Sequence, residues 1–152
     1  MASPYLVGLR LHGRGVVVVG GGRVAARRVP KLLAAGAVVS VVSPAVLPGL
    51  EALAADGGID WVPRDYRPGD LAGAWYVIAA TSSSTVNAAV ANEADERHTF
   101  CVRADDADHG TAWTPATGEH DGLVVGVVGR HDPRRSRAAR DRLVEVLEDE
   151  EL

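Results

Sequence analysis

The sequence predicts an α/β fold: a mostly parallel, doubly wound sheet with helices on both faces, followed by a short strand pair and a final helix. Residues 16–19 are four consecutive valines, and an unbroken β-branched run is typical of a strand buried on both faces. Glycines follow the valines at once, and a helical pattern separates them from the next apolar strand. Strands and helices then alternate as in parallel sheets with crossover helices.

The turn after the valine strand is rich in glycine. It reads Gly20-Gly21-Gly22-Arg23-Val24-Ala25-Ala26, a G-x-G-x-x-A pattern. Gly20 permits a tight turn, the missing Cβ of Gly22 lets a diphosphate approach, and Ala25 lets the helix lie close to the strand. Because unpaired N–H groups at a helix start attract anions, the pattern predicts a Rossmann-like dinucleotide site. The less favoured alternative is a glycine turn without a ligand.

The other elements follow from apolar periodicity and turn residues. We expect helices at residues 23–35, 47–55, 85–96 and 133–148, and strands at 37–42, 59–62, 75–80, 100–103, 112–114 and 123–128. A polar turn at residues 117–122 is predicted to join the last two strands in antiparallel order. Residues 5–11 permit either a short strand or a lead-in segment. We place a dinucleotide-binding domain at residues 1–115 and a C-terminal strand and helix extension at residues 116–152.

The composition is that of a globular protein with a full core, at 152 residues, 47% hydrophobic and 24% charged. The net charge of -4 argues against nucleic acid as the main partner. No apolar run approaches the roughly 18 residues of a membrane span, and no signal-peptide pattern begins the chain. The single cysteine, Cys101, excludes an internal disulfide. We therefore expect a cytoplasmic protein.

The carboxyl ends of the predicted parallel strands supply the candidate cofactor contacts, because loops at these ends line the ligand crevice. The candidates are Gly20, Gly21, Gly22, Arg23, Val24, Ser43, Pro44, Ala80 and Thr81. An Asp or Glu usually binds the ribose where this chain has Ser43, and no arginine follows closely to hold a 2′-phosphate. The residues therefore leave NAD and NADP open. The hydroxyls of Ser83 and Ser84 serve equally well as plain helix caps.

Acidic residues follow the last predicted parallel strand, at Asp105, Asp106 and Asp108. Asp105 is the candidate catalytic residue. Beside a nicotinamide it would accept a proton from a carbon or nitrogen acid while hydride leaves to the cofactor, provided that burial raises its pKa towards neutrality. The alternative, which the spacing alone favours, is a solvated turn containing all three carboxylates.

Six arginines lie between positions 130 and 142. Arg130, Arg134 and Arg137 are candidate substrate contacts, because guanidinium groups hold carboxylates in two-point contacts. A solvated helix face is the simpler interpretation of such a charge run. The histidines form no pair at zinc-ligand spacing, and we expect no resident metal. They are His12, His98, His109, His120 and His131.

Several motifs together resemble the NAD-binding part of siroheme synthase. They are residues 18–25, residues 78–81 with Val86 and Asn87, Phe100-Cys101 with Asp105, and residues 114–116, in this order. The likeness extends over nearly the whole chain. Residues 5–9 and 101–105 look most like the actinobacterial form, which is often fused to a uroporphyrinogen-III methyltransferase.

The resemblance implies oxidation of precorrin-2 to sirohydrochlorin with NAD, together with insertion of a transient ferrous ion as a second activity. It implies that Asp105 serves both steps, as a base in dehydrogenation and as a carboxylate that removes pyrrole protons when iron enters. The resemblance implies a tetrapyrrole with eight carboxylates. For such a ligand, substrate binding by the arginines and a solvated helix face are equally good interpretations of the charge run.

The resemblance also implies a homodimer, although the helical region that helps dimers form in the family is absent from these 152 residues. The chain departs from the family at residues 129–133, usually a Ser and Gly-rich loop, and at residues 82–84, usually an Asp-rich run. The alternatives are a non-catalytic module that binds a dinucleotide or tetrapyrrole, and an unrelated NAD(P)-dependent reductase.

Overall fold

The structure, a computed structural model, describes residues 2–130 and 132–150. The chain forms two compact units. One is Gly8–Ala112, and the other combines the residues up to Val7 with those from Trp113 onward. Within the described residues, no helix is long and apolar enough to cross a membrane.

The first unit contains a five-stranded parallel sheet, with strands in the order β3-β2-β1-β4-β5. The strands are β1 (Gly15–Val19), β2 (Val38–Val42), β3 (Asp60–Val62), β4 (Tyr76–Ala79) and β5 (Phe100–Arg103). Because all pairs are parallel, every strand ends at the same edge of the sheet. The predicted parallel sheet is confirmed.

Helices cover both faces of this sheet. They are α1 (Arg23–Ala34), α2 (Pro48–Ala55) and α3 (Ser84–Glu96), and a short 3₁₀ helix (Ala107–His109) follows β5. Val16 and Val18 lie in the core cluster that contains buried residues of α1 and α2. Val17 and Val19 lie in the cluster that contains buried residues of α3. The valine run is therefore buried on both faces, as its lack of alternation predicts.

The N-terminal segment contains no strand between residues 2 and 10. Of residues 5–11, only Leu11 is buried, and it packs in the core cluster of the first unit. The segment is therefore a lead-in to β1, which was one of the two alternatives.

The second unit contains an antiparallel hairpin, β6 (Ala116–His120) and β7 (Leu123–Val127), and the helix α4 (Pro133–Asp149). The predicted strand at residues 112–114 and the polar turn at residues 117–122 are wrong. The turn is only Asp121-Gly122, whose φ values of 45° and 79° are left-handed. Such two-residue turns match the twist of paired strands, so the polar residues before Asp121 belong to β6.

Helix α4 packs on both strands of the hairpin, and among its apolar residues Ala139 and Leu147 are half-buried. Arg140 and Val144 are half-buried, and they lie where a side chain at Gly118 would collide with them. Leu143 and Val146 are each 47% exposed. The close approach of the helix to a glycine in β6 thus decides which face is covered.

Candidate functional site

One register line brings the predicted cofactor residues together. Val42 pairs with Val19, Val19 with Ala79, and Ala79 with Arg103, so β2, β1, β4 and β5 end side by side. Ser43, Gly20 and Ala80 follow directly, and Asp105 lies two residues beyond the end of β5. With strands about 4.8 Å apart, β1 and β5 are separated by about 10 Å. The sequence predicted this meeting of strand ends.

The three glycines of the turn between β1 and α1 have different surroundings. Gly20 has φ +119°, and a Cβ there would collide with the carbonyl of Ala80. A Cβ on Gly21 would collide with the carbonyl of Ala45. Gly22 differs, because its φ of -90° and ψ of -155° suit other residues and a Cβ there would meet nothing within 4 Å. The fold requires the first two glycines but not Gly22.

The open space at Gly22 lies at the start of α1. Gly22 is the N-cap residue, and no side chain of the described residues caps this helix. The first N–H groups of a helix, here including those of Arg23 and Val24, have no partner within the helix. A position without Cβ beside such donors fits a diphosphate, which needs close approach to the backbone. No contact within the described residues requires glycine at position 22.

The loop after β2 places Ser43 where an acidic residue is usual. Ser43 is 8% exposed, and its hydroxyl donates to the carbonyl oxygen of Ala45 at 2.6 Å. The indole N–H of Trp61 donates to the Ser43 carbonyl at 2.9 Å, and Pro44 is exposed. The Ser43 hydroxyl proton is thus used within the loop, and only the oxygen lone pairs remain to accept a hydrogen bond.

A fully buried asparagine fixes the chain after β4. Oδ1 of Asn87 accepts the backbone N–H of Thr81 at 3.0 Å and its hydroxyl at 2.7 Å. Nδ2 of Asn87 donates to the Thr81 carbonyl at 3.1 Å. Ser83 caps α3 by accepting the N–H of Val86 at 3.2 Å, so the capping interpretation is right for Ser83, whereas Ser84 is the first residue of the helix.

Asp105 is paired with an arginine. Nε and Nη2 of Arg103 donate to the two carboxylate oxygens of Asp105 at 3.2 and 2.9 Å. These hydrogen bonds are the main cause that holds the pKa of Asp105 below its usual value, and they outweigh burial, which raises it. The catalytic prediction required the pKa of Asp105 to be raised towards neutrality, and that part of the prediction is therefore wrong. Asp105 is ionised at neutral pH.

Other titratable side chains near Asp105 in the sequence are Asp106 and Cys101. Nδ1 of His109 lies 2.8 Å from Oδ2 of Asp106, and the hydrogen bond between them lowers the pKa of Asp106. The described residues contain no group of three or more His, Cys, Asp or Glu side chains that could hold a metal ion. Cys101 is buried, and burial raises the pKa of its thiol to about 11, so it stays protonated at neutral pH.

The candidate substrate arginines belong to the second unit. Arg130 follows β7, and Arg134 and Arg137 lie on α4; all three are exposed. Arg140 is different, because its guanidinium donates to the carbonyl of Thr117 and ties α4 to the hairpin. Contact of the exposed arginines with a substrate stays a prediction, and His131 lies outside the described residues.

Comparison with known proteins identifies the first unit. Residues 7–116 match the profile of a family described as putative NAD(P)-binding. The chain belongs to this family. The matched range includes the glycine turn, the Thr81 and Asn87 contacts and Asp105, and it confirms a nicotinamide dinucleotide as the predicted cofactor.

Relatives of this NAD(P)-binding chain confirm the resemblance to siroheme synthase. Siroheme synthase 1 of Aeromonas salmonicida (strain A449) is 39% identical over 139 residues, which are 91% of this chain and 30% of that protein. Siroheme synthase 1 of Yersinia enterocolitica is 38% identical over 138 residues, 90% of this chain and 29% of that protein. The chain thus spans about 30% of the length of these curated relatives.

A solved structure shares the fold of the chain. The structure of SirC, precorrin-2 dehydrogenase, has a TM-score of 0.77 and 26% identity, and the match covers 96% of this chain and 70% of that chain. Because the match covers 96% of this chain, it includes both the parallel sheet and the C-terminal hairpin and helix.

Sequence reasoning assigned no role to two polar residues of this NAD(P)-binding domain, Asn87 and Arg103. A signal for Asn87 was present, because it lies three and seven positions before Val90 and Ala94 on the buried face of α3. Arg103 is the last residue of β5 and lies two positions before Asp105 in the sequence. That spacing indicates an arginine beside the candidate catalytic carboxylate.

Proposed function

We propose that this chain is the dehydrogenase part of a siroheme-forming enzyme and oxidises precorrin-2 to sirohydrochlorin with NAD. The observation that carries the proposal is the open, Cβ-free position of Gly22 at the start of α1, on the same sheet edge as Asp105. The substrate is proposed from the relatives, which are siroheme synthases and a precorrin-2 dehydrogenase.

The residues at the sheet edge fit a nicotinamide dinucleotide. Gly22 and the N–H groups of Arg23 and Val24 would hold the diphosphate, and the loop that begins with Ser43 and Pro44 would contact the adenosine side. When bound, NAD accepts the hydride that dehydrogenation removes from the substrate. Residues 43–47 read Ser-Pro-Ala-Val-Leu and offer no cationic side chain to a 2′-phosphate, which favours NAD over NADP.

The proposed role of Asp105 is that of proton acceptor. Dehydrogenation removes a hydride and a proton from the substrate, and the ionised carboxylate of Asp105 would take the proton and release it to water. Ala80 and Thr81, at the neighbouring strand end, would lie beside the nicotinamide. The bidentate pair with Arg103 keeps the carboxylate oxygens in one orientation.

The direct test follows NADH absorbance after mixing the protein with precorrin-2 and NAD, with binding of NAD measured in the same sample. Asp105→Asn is expected to abolish turnover and to leave the Kd for NAD unchanged. Asp106→Asn, the matched control, is expected to retain turnover. A sample that binds NAD yet forms no NADH above a protein-free control contradicts the proposal, and an active Asp105→Asn variant contradicts the assignment of the base.

Insertion of ferrous ion into sirohydrochlorin is a second candidate activity, with iron as a substrate. The observation that favours it is the two-point contact of Arg103 with the Asp105 carboxylate, which keeps that carboxylate ionised and able to accept pyrrole protons. Anaerobic incubation with sirohydrochlorin and ferrous ion tests it through the siroheme spectrum. Formation of siroheme no faster than in a protein-free control rules it out.

Binding of the polycarboxylate substrate is proposed for Arg130, Arg134 and Arg137, which are exposed and carry the charge that carboxylates require. We also propose a homodimer in the cytoplasm, on the resemblance to siroheme synthases. Sedimentation equilibrium tests the dimer, and a monomer at micromolar concentration contradicts it.

A further inference from the structure

We propose that Arg103 is a positioning residue, which holds the Asp105 carboxylate as an anion in one orientation, and that Asn87 joins this pair to Thr81. The inference rests on the proposed function only for its kinetic consequence. The arrangement of the carboxylate itself can be tested without turnover.

The first support is the geometry of the ion pair. Two nitrogens of Arg103 each bind one oxygen of Asp105, at 3.2 and 2.9 Å, and such two-point contacts fix the plane of a carboxylate. Arg103 is 8% exposed, whereas the Asp105 side chain is 28% exposed. The arginine is thus the anchored partner, and the carboxylate is the partner that remains accessible.

The second support is the network behind the pair. Asn87 is fully buried and makes three hydrogen bonds to Thr81. Its amide is also a smaller cause of the lowered pKa of Asp105, which places it beside that carboxylate. One buried residue therefore links the end of β4, where the nicotinamide is expected, to the carboxylate after β5.

The third support is the charge around Asp105. Arg103 of β5 is the cation that pairs with it, and the adjacent Asp106 is itself paired with His109 of the 3₁₀ helix. Helix α3 contributes neutral groups, the Asn87 amide and the carbonyl of Ser84, 3.5 Å from Nη2 of Arg103. Without Arg103, Asp105 would lose the cation that favours its charged form and would bind a proton more readily.

This charge balance matters for the proposed substrate. A tetrapyrrole rich in carboxylates is repelled by a bare carboxylate at the site. The Arg103 and Asp105 pair has no net charge, so it presents an accessible proton acceptor without that repulsion.

The kinetic test is the pH profile of kcat/KM in Arg103→Met. Loss of the guanidinium makes Asp105 easier to protonate, so the acid limb moves to higher pH. On that limb we expect the variant to be about tenfold slower than the wild type, with plateau rates that agree within about threefold. Arg103→Lys retains the cation and is expected to restore most of the shift. An equal loss of rate at every pH, with an unmoved limb, would overturn the proposal.

An independent test follows the Asp105 carboxyl carbon by NMR during a pH titration, assigned with Asp105→Asn. The midpoint is expected to rise in Arg103→Met, and an unchanged midpoint overturns the proposal. Arg103→Gln, neutral but able to donate a hydrogen bond, gives the same test if the Met variant does not fold. Arg97→Met removes an ion pair with Glu93 at the other end of α3 and should leave the midpoint unchanged.

The two tests separate the proposals from each other. A midpoint that rises while no variant oxidises precorrin-2 supports the role of Arg103 and refutes the proposed function. An active enzyme with an unmoved midpoint refutes the role of Arg103 alone.

Discussion

Gly22→Ala separates a site requirement from a folding requirement. The backbone at Gly22 has φ -90° and ψ -155°, which alanine adopts without strain, and the added Cβ meets no atom within 4 Å. Loss of glycine flexibility in the unfolded chain stabilises by about 0.4–1 kcal/mol, whereas alanine is the poorer N-cap residue by a similar amount. We therefore expect the free energy of unfolding to change by less than about 1 kcal/mol.

The same methyl group lies where a diphosphate would approach the N–H groups of α1. Loss of one charge-assisted hydrogen bond costs about 1.5–3 kcal/mol, so the Kd for NAD should rise about 10- to 150-fold. Calorimetric titration with NAD measures the affinity, and urea unfolding followed by circular dichroism measures the stability. Gly8→Ala, also in open space, is the control; it should leave the affinity for NAD unchanged and alter the stability by no more than about 1 kcal/mol.

Two results would refute this reasoning in different ways. Unchanged NAD affinity in Gly22→Ala would mean that the diphosphate does not rest at this turn. A large loss of stability would mean that the surroundings of Gly22 are not open. Gly20→Ala, whose Cβ would collide with the Ala80 carbonyl, is expected to lower stability strongly, which provides the contrast.

Two further predictions concern other parts of the chain. Burial raises the pKa of Glu93, but hydrogen bonds from residues 66–71 outweigh burial and lower that pKa. Ionised Glu93 therefore stabilises the fold above its ordinary pKa. This contribution disappears as the pH falls through the lowered pKa of the folded state. Glu93→Gln should flatten that acid dependence in urea unfolding, and an unchanged pH dependence would contradict it. Replacement of both Arg134 and Arg137 by Glu should raise the KM for the tetrapyrrole at least about tenfold. Arg142→Glu, at another exposed arginine, is the control and should leave the KM unchanged. Equal KM values in the double variant and the wild type would favour a solvated helix face.

The parallel sheet was predictable because its signals are local. A run of valines at residues 16–19 requires burial on both faces, and the glycines that follow require a tight turn whatever the rest of the chain does. The strand ends therefore follow from the order of elements. The placement of Gly20, Ser43, Thr81 and Asp105 at one edge needed no knowledge of distant contacts.

The errors lie where distant contacts decide. Residues 117–120 are polar and resemble a turn, but pairing with β7 and cover from α4 make them a strand. On α4 the apolar pattern does not show which residues are covered: Arg140 and Val144 lie against Gly118, whereas Leu143 and Val146 are exposed. The catalytic interpretation of Asp105 required burial to raise its pKa, yet the hydrogen bonds from Arg103 outweigh burial, and the hydropathy pattern does not reveal such a side-chain contact.

Strands β2, β1, β4 and β5 end side by side. This arrangement determines which loops of the domain can change in sequence independently of each other. The loop that would touch adenosine leaves from β2, and the carboxylate leaves from β5, with two strands between them. Changes of length or sequence in residues 43–47 can therefore alter coenzyme preference without moving Asp105. Engineering towards NADP would begin at Ser43 and Pro44 and leave the Arg103 pair untouched.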